Sequence, residues 1–460
     1  MTVKVQEKPP THPWNCVPTP VDALYVHVPF CFHKCHYCDF YSLVDGPSGG
    51  GSDRQAAFSE ALIAELHHKN AFWDARSSFG GNPDDAEDHR NNKQIADPSA
   101  APRGSACQSR QCAGPHSQGT QPAVTASNRR LRTIFVGGGT PTLLRPQLWE
   151  RLLAAMRQSG VLEQATEFTV EANPETVTDE LMAVLAAGGV NRVSIGVQTF
   201  HTDLLKMLER WHDPSHVQQA VRRIRGGGVK NLNLDLIFAI PGQTMAQLDA
   251  DLDAALALDP QHLSCYGLTY EPNTPMTARL RIGSFERVPE EVERTMYERV
   301  LDRLSDADFE HYEVSNWARR DTNVLDRAAP SPHRCRHNLA YWRNLNWLGI
   351  GPAAASHVDG HRWKNEPHLG RYIKGAPSPP VVDVEHFSAQ RRTGEHLMLA
   401  LRTMDGIEWS WLEANLALTD ERWRTIEGFL DANLLERHDG HLRLTRAGLF
   451  VADGVVERLL

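Results

Sequence analysis

Three of the eight cysteines lie within eight consecutive residues, Cys31, Cys35 and Cys38 in the stretch CFHKCHYC. Thiolates spaced this closely are typical ligands of zinc or of iron–sulfur clusters. Three thiolates hold three irons of a four-iron cluster and leave the fourth iron open to an external ligand. Zinc would take its fourth ligand from His33 or His36, so the spacing alone leaves both metals open.

The composition is that of a globular protein, with 460 residues, 41% of them hydrophobic and 23% charged, and a formal net charge of −9. The cysteines are too sparse for a disulfide scaffold, and the acidic balance disfavours a nucleic-acid-binding protein. The sequence holds no apolar run long enough for a transmembrane helix, and residues 1–15 lack the apolar core of a secretory signal. We therefore expect a cytoplasmic protein in which the clustered thiols bind metal.

Strand-like and helix-like segments alternate along the chain. Apolar runs that predict strands occupy 24–28, 131–136, 167–171, 191–197, 231–238 and 262–268. Segments with helical spacing occupy 55–69, 146–158, 178–187, parts of 202–225, 244–257 and 289–305. Six such units predict an α/β fold with a parallel sheet under a helical cover. We expect a partial (β/α)6 barrel, similar to a TIM barrel but short of its eight units, and a doubly wound sheet is the alternative.

The composition divides the chain into four parts. They are a flexible tail (1–21), a core barrel (22–310), a barrel-closing linker (311–385) and a small α+β unit (386–460). In the last part, helices followed by a hairpin resemble a winged helix, but acidic side chains outnumber basic ones, which argues against DNA binding. Within the core, residues 76–128 carry few large apolar side chains and predict a disordered insertion, which includes Cys107 and Cys112.

Other polar residues follow the predicted strands where ligands gather in a parallel sheet. The glycine-rich stretch 137–142 (GGGTPT) follows the second strand, Glu171 and Gln198 end the third and fourth, and Asp235 lies in the fifth. Each alone is consistent with a turn or a structural hydrogen bond. Because the carboxyl ends of parallel strands share one edge, the cysteine loop and these residues are expected to form one site.

The stretch 25–42 (YVHVPFCFHKCHYCDFYS) resembles the cluster motif of radical S-adenosylmethionine (SAM) proteins, and more narrowly of the coproporphyrinogen-oxidase-like family. The supporting segments are 137–142 (GGGTPT), 170–175 (VEANPE), 194–200 (SIGVQTF), 233–244 (NLDLIFAIPGQT) and 266–275 (YGLTYEPNTP). The resemblance covers most of residues 22–375 apart from the insertion, and it extends to the C-terminal unit.

The resemblance implies a [4Fe-4S] cluster on Cys31, Cys35 and Cys38, with the amino and carboxylate groups of S-adenosylmethionine on the fourth iron. It also implies a set of residues around the S-adenosylmethionine: Tyr25, Tyr37, Gly138, Gly139, Thr140, Glu171, Gln198, Arg210 and Asp235. In such sites the cofactor supplies the radical chemistry, while the protein orients and shields it.

Two motifs place the chain within this family. The cysteine motif of the oxygen-independent coproporphyrinogen III oxidases is C-x3-C-x2-C-x-C. Here Phe40 occupies the position of their fourth cysteine. The oxidase's longer N-terminal segment is also missing before the first predicted strand. The ending CDFYS and residues 337–342 (HNLAYW) instead resemble the haem chaperone (HemW-like) branch. The decarboxylating oxidase remains the alternative, and a zinc protein without a redox role is a second one.

Residues 337–342 also have a chemical rationale. His337 is the expected haem ligand, and Tyr341 and Trp342 are expected to pack on the porphyrin. His333 and Cys335 are alternative iron ligands, while Ala355 stands where relatives often carry a histidine. The expected cargo is haem and the expected partners are haem-accepting proteins such as respiratory-chain components, with no nucleic acid. Self-association is left open.

Overall fold

The computed structural model describes residues 20–45, 51–72, 131–321, 324, 326 and 329–460. The predicted insertion, with Cys107 and Cys112, lies outside the described residues, as does nearly all of the predicted N-terminal tail. No helix in these described ranges is both long enough and apolar enough to cross a membrane.

The first half of the chain alternates strands and helices. Its strands are β1 Ala23–Val28, β2 Phe30–Cys31, β3 Leu43–Val44, β4 Thr133–Gly138, β5 Glu167–Ala172, β6 Arg192–Gln198, β7 Asn231–Phe238 and β8 His262–Gly267. Its helices are α1 Gly51–His68, α2 Pro146–Gln158, α3 Asp179–Ala187, α4 Thr202–Met207, α5 Pro214–Gly226, α6 Met245–Ala257, α7 Pro275–Arg281 and α8 Glu290–Asp306. Short 3-10 helices lie at Asn70–Phe72, Pro141–Leu143 and Pro174–Thr176.

The second half adds shorter elements. Its strands are β9 Phe309–Glu313, β10 Asn316–Arg319, β11 Trp347–Ile350, β12 Ala355–Val358, β13 His361–Asn365, β14 Val381–His386, β15 Ile407–Glu408, β16 Leu435–His438 and β17 His441–Leu444. Its helices are α9 Arg336–Trp342, α10 Leu369–Gly375, α11 Ala389–Ala400, α12 Trp409–Asn415, α13 Arg422–Asp431, α14 Arg446–Leu449 and α15 Ala452–Glu457.

The parallel strands lie side by side in chain order, β1-β4-β5-β6-β7-β8. A doubly wound sheet reverses its strand order at a switch point, and these six strands do not. The order and the α/β pattern therefore confirm the predicted partial barrel over the doubly wound alternative. The strands are near-continuous apolar runs because both faces of the sheet are covered. Helices cover its outer face, and side chains inside the barrel cover its inner face.

Residues 310–375, which show little sequence periodicity, build structure at both edges of this sheet. β10 and β9 add antiparallel strands beside β8, while β11 pairs parallel to β1 and continues into β12, β13 and β14. The described sheet thus has twelve strands and ends at β14 and β9. The segment expected to close the barrel therefore lengthens the sheet, and α9 covers one end of the barrel.

Two of the buried apolar clusters in the described residues are much larger than the others. The large core lies between the sheet and its outer helices, and a smaller one joins residues between Leu397 and Leu459. The smaller unit has helices α11–α13 followed by the hairpin β16–β17. Its contacts with the barrel include ion pairs, Arg334 with Asp405 at 2.8 Å and Arg362 with Glu395 at 2.7 Å.

Candidate functional site

The cysteine loop begins where β1 ends, at the carboxyl end of the parallel sheet. Cys31, Cys35 and Cys38 all line one cavity of about 500 Å³. The Thr140 hydroxyl lies 3.8 Å from the Cys31 sulfur, and Nη1 of Arg210 donates to the Cys35 sulfur at 3.6 Å. Burial raises the pKa of the Cys31 thiol and raises that of Cys38 to about 11, so both thiols hold their protons here and would release them on binding a metal.

The donor set fits an iron–sulfur cluster better than a zinc ion. His33 stacks on the Trp211 indole with the ring centres 4.7 Å apart, and Nδ1 of His36 lies 3.3 Å from the Arg279 guanidinium. Of these two candidate fourth ligands of zinc, His36 is thus engaged through Nδ1, whereas His33 keeps Nε2 without a hydrogen-bond partner among the described residues. Three thiols that share one cavity suit a cluster, in which each thiolate binds its own iron.

The glycine-rich turn after β4 packs directly beneath the cysteine loop. A Cβ on Gly139 would lie 2.5 Å from the Phe30 carbonyl oxygen, and one on Gly138 would lie 2.5 Å from the His27 ring. Gly138 also has φ +107°, which other residues rarely adopt. Its N–H donates to the Glu171 carboxylate at 3.1 Å. The turn therefore requires glycine both for its backbone conformation and for close approach.

Two carboxylates face the cavity from β5 and β7, the strands on either side of β6. Asp235 accepts from Ser194 at 3.1 Å and from Asn233 at 2.7 Å. Burial raises the pKa of Glu171 to about 7, repulsion from Asp235 adds to the shift, and the Gly138 N–H opposes it. Burial also raises the pKa of Asp235, against the hydrogen bonds it accepts. In their charged forms, both groups can accept hydrogen bonds from a ligand's ammonium or hydroxyl groups.

Arg210 connects the cysteine loop to the strand ends. Besides Cys35, its guanidinium donates to the Asn173 side-chain oxygen at 2.9 Å and to the Gly196 carbonyl at 2.6 Å. Gln198 ends β6 with φ +67°, a strained conformation for a residue with a side chain. The pairing of β6 with β7 shifts register at the same place. Strain of this kind is common where a side chain is aimed at a ligand.

The cavity gathers all but one of the residues expected around the cluster and S-adenosylmethionine. Its lining includes Cys31, Cys35, Tyr37, Cys38, Gly138, Gly139, Thr140, Glu171, Gln198, Arg210 and Asp235. Tyr25 lies in β1 outside this lining, where its hydroxyl contacts His27 Nδ1 at 3.2 Å.

Further lining residues were not predicted, among them Asn173, Arg192, Ser194, Asn233 and Ser264. A period-two pattern would have found Asn173 and Asn233, since each is two residues from a predicted carboxylate and shares its face of the strand. Arg192 is buried and starts β6, and no nearby motif marks it.

Residues 337–342 lie at the opposite end of the barrel from the cysteines. Helix α9 rests on the first residues of β4 and β5, because Glu167 accepts the backbone N–H of His337 at 3.0 Å and Thr133 bonds His337 Nδ1 at 2.9 Å. His337 Nε2 bonds the Tyr341 hydroxyl at 3.0 Å. Burial and the Arg192 charge lower the pKa of His337 to about 3, so the ring is neutral.

The residues expected to bind haem are therefore packed against the end of the barrel in this conformation. His337 is 1% exposed and stacks on Phe135, and Trp342 packs against the cluster that contains Tyr312 and Cys335. Asn338 is the residue of this motif that reaches the cavity. Ala355 starts β12 at the surface, and nearby His357 directs Nδ1 to the Leu345 carbonyl at 3.3 Å.

Comparison with known proteins agrees with this architecture. The profile of the radical SAM superfamily matches residues 123–255, and that of the HemN C-terminal domain matches residues 387–451. The solved structure of coproporphyrinogen III oxidase (HemN) from Escherichia coli has a TM-score of 0.69 at 17% identity and covers 97% of this chain and 91% of its own. This confirms the fold.

Several curated relatives at about 30% identity are named haem chaperone HemW. The protein from Lactococcus lactis is 31% identical over 95% of this chain and 97% of its own length. The protein from Mycobacterium tuberculosis is 32% identical over 95% and 94%, and that from Escherichia coli is 32% identical over 74% and 71%. Nearly full-length similarity at this identity means that the chain belongs to the HemW family of radical SAM proteins.

Proposed function

We propose that this protein is a haem chaperone, which binds haem and delivers it to acceptor proteins. The observation that carries the proposal is its similarity to HemW proteins over almost the whole chain, 95% of it in the relative from Lactococcus lactis. Phe40 supports it, because a phenyl ring occupies the position of the oxidase's fourth cysteine and lines the cavity. The solved oxidase structure supports the shared fold only.

The cavity is proposed to hold a [4Fe-4S] cluster on Cys31, Cys35 and Cys38, with S-adenosylmethionine beside it. The cluster and S-adenosylmethionine, when bound, supply one-electron chemistry at the sulfonium. The chain contributes position and electrostatics: backbone groups of the turn at Gly138 hold polar groups close, and Glu171 accepts from ribose or ammonium donors. Arg210 braces the cysteine loop through its bond to the Cys35 sulfur.

The haem-binding role predicted for His337, Tyr341 and Trp342 requires a rearrangement. Both His337 nitrogens are hydrogen-bonded, so iron ligation at Nε2 would break its bond to Tyr341. Cys335, an alternative ligand, is fully buried and its thiol contacts Asn338 and Glu167. A haem site in this motif therefore needs α9 to leave the end of the barrel.

The cellular setting follows from the same function. We propose a cytoplasmic protein that meets haem-requiring acceptors such as respiratory-chain components, without binding nucleic acid. The C-terminal unit, although shaped like a winged helix, carries an excess of acidic side chains.

One reconstituted sample tests the chaperone against the oxidase. Protein loaded with iron and sulfide under anaerobic conditions is titrated with ferric haem, and a saturable Soret band is expected. The same sample is then given S-adenosylmethionine, a reductant and coproporphyrinogen III, and no protoporphyrinogen is expected. Absence of haem binding would refute the chaperone, while product formation would favour the oxidase. A colourless protein with bound zinc in place of about four irons would favour the zinc alternative.

A further inference from the structure

Four exposed aromatic side chains line the cavity or directly follow a residue that lines it. Phe32 and Phe40 belong to the cysteine loop, Trp211 lies between α4 and α5, and Tyr266 lies near the end of β8. Their exposed fractions are 41%, 59%, 70% and 40%, respectively. Phe40 and Tyr266 line the cavity itself. We call these four residues the aromatic rim.

An imidazole with an unsatisfied nitrogen lies within the rim. His33 lines the cavity and stacks on Trp211 at 4.7 Å with an interplanar angle of 29°. Its Nε2 has no hydrogen-bond partner within the described part of the chain. Buried polar atoms are normally paired, and a ligand in the cavity would pair with this shielded nitrogen once the ring turns towards it. The nearby His36 differs, because its Nδ1 contacts Arg279.

From these contacts we infer that haem docks on the aromatic rim, with His33 as the ligand of its iron. The inference rests on the proposed function and gives it a location other than the buried His337. A porphyrin is large, flat and apolar, which suits exposed rings that would otherwise face water. Imidazole nitrogen is a common haem iron ligand, and the Trp211 stack fixes the ring plane of His33.

Charges around the rim are compatible with the two propionates of haem. Lys34 is exposed, lines the cavity and follows His33 directly, so its ammonium is within reach of a propionate. The acidic side chains lining the same cavity are Asp39, Glu171, Asp235 and Glu271. The mixed charge makes ring stacking and iron ligation the main sources of affinity.

Ferric haem titrations of anaerobically reconstituted full-length protein test the inference. His33→Ala is expected to weaken haem binding at least tenfold and to shift the Soret maximum, because an iron ligand is lost. His36→Ala is the matched control from the same loop and is expected to bind as the wild type. Trp211→Ala is expected to weaken binding several-fold, and Trp211→Phe to restore most of it. Iron content is measured for every variant.

The outcomes separate this inference from the proposed function. Wild-type protein that binds no haem would overturn both. Haem binding that is lost in His337→Ala but unchanged in His33→Ala would overturn the rim site and leave the chaperone function supported. If His33→Ala loads less iron than the wild type, the Trp211 variants test the rim site instead, because Trp211 lies outside the cysteine loop. Unchanged binding in Trp211→Ala would then reject the rim site.

Discussion

Glu171 gives the protein a pH-dependent stability that one substitution should remove. The pKa of its carboxyl is raised from 4.5 to about 7, first by burial and then by repulsion from Asp235. The folded protein therefore binds this proton more tightly than the unfolded chain does. The stability that the folded protein gains from this bound proton is fully present below pH 4.5 and is lost as the pH rises through 7.

The size of the effect follows from the shift. At about 1.4 kcal/mol per pKa unit, a rise from 4.5 to about 7 corresponds to roughly 3 kcal/mol at high pH. Because Glu171 lines a cavity that admits water, screening reduces this figure. Between pH 5.5 and 8 we expect Glu171 to remove about 1–2 kcal/mol from the free energy of unfolding of protein without bound cofactor.

Urea unfolding of wild type and Glu171→Gln at several pH values measures this contribution. Buried His27 and His337 have lowered pKa values and give the opposite slope below pH 6.5, so the difference between the two proteins is the quantity to compare. The variant should gain stability relative to wild type as the pH rises from 5.5 to 8. The exposed Glu180→Gln serves as control. A difference that does not change with pH would refute the reasoning.

Three further substitutions test the loop, the turn and the fold. Gly138→Ala should lower the free energy of unfolding in urea by at least about 2 kcal/mol, because φ is +107° and the Cβ would meet the His27 ring. Gly226→Ala is the control. Its Cβ would meet no atom within 4 Å, so this variant should be neutral or slightly stabilising. Arg210→Lys keeps the positive charge but loses the planar guanidinium that bonds both the Cys35 sulfur and the Gly196 carbonyl. These hydrogen bonds contribute about 2 kcal/mol to holding the cysteine loop. The iron content per chain after reconstitution should therefore fall. Lys69→Met should lower the free energy of unfolding by about 3 kcal/mol, because it removes the ammonium that lies 2.5 Å from the buried Glu65 carboxylate. Adding Glu65→Gln should recover part of that loss. A double variant less stable than Lys69→Met alone would contradict the pairing.

The parallel half of the fold could be predicted because its signals are local. The apolar run at 231–238 coincides with β7, and the segment 146–158 coincides with α2. The site was also predictable, since strand ends in a parallel sheet share one edge. This reasoning brought the cysteine loop, Glu171, Gln198 and Asp235 to one cavity.

The structure of residues 310–375 depends on contacts between distant parts of the chain. Strand β11 has four residues and acquires its place by pairing with β1, more than three hundred positions earlier. Likewise, His337 looks like a free ligand in the sequence, because its partner Thr133 is about two hundred residues away. Short strands and buried histidines carry no local pattern that would distinguish these roles.

Phe40 is the position at which the cysteine loop differs from the four-cysteine motif of the oxidases. A cysteine at this position would place a fourth thiol in the loop, whereas phenylalanine places an apolar ring, 59% exposed, at the cavity mouth. Exposed aromatic rings are unfavourable in water unless a ligand or partner covers them. The amino-terminal ends of β4 and β5 are covered by α9, so the cysteine end is the side from which a large ligand can approach. Replacing a thiol by a ring at that entrance therefore favours holding a flat cargo over carrying out chemistry on it.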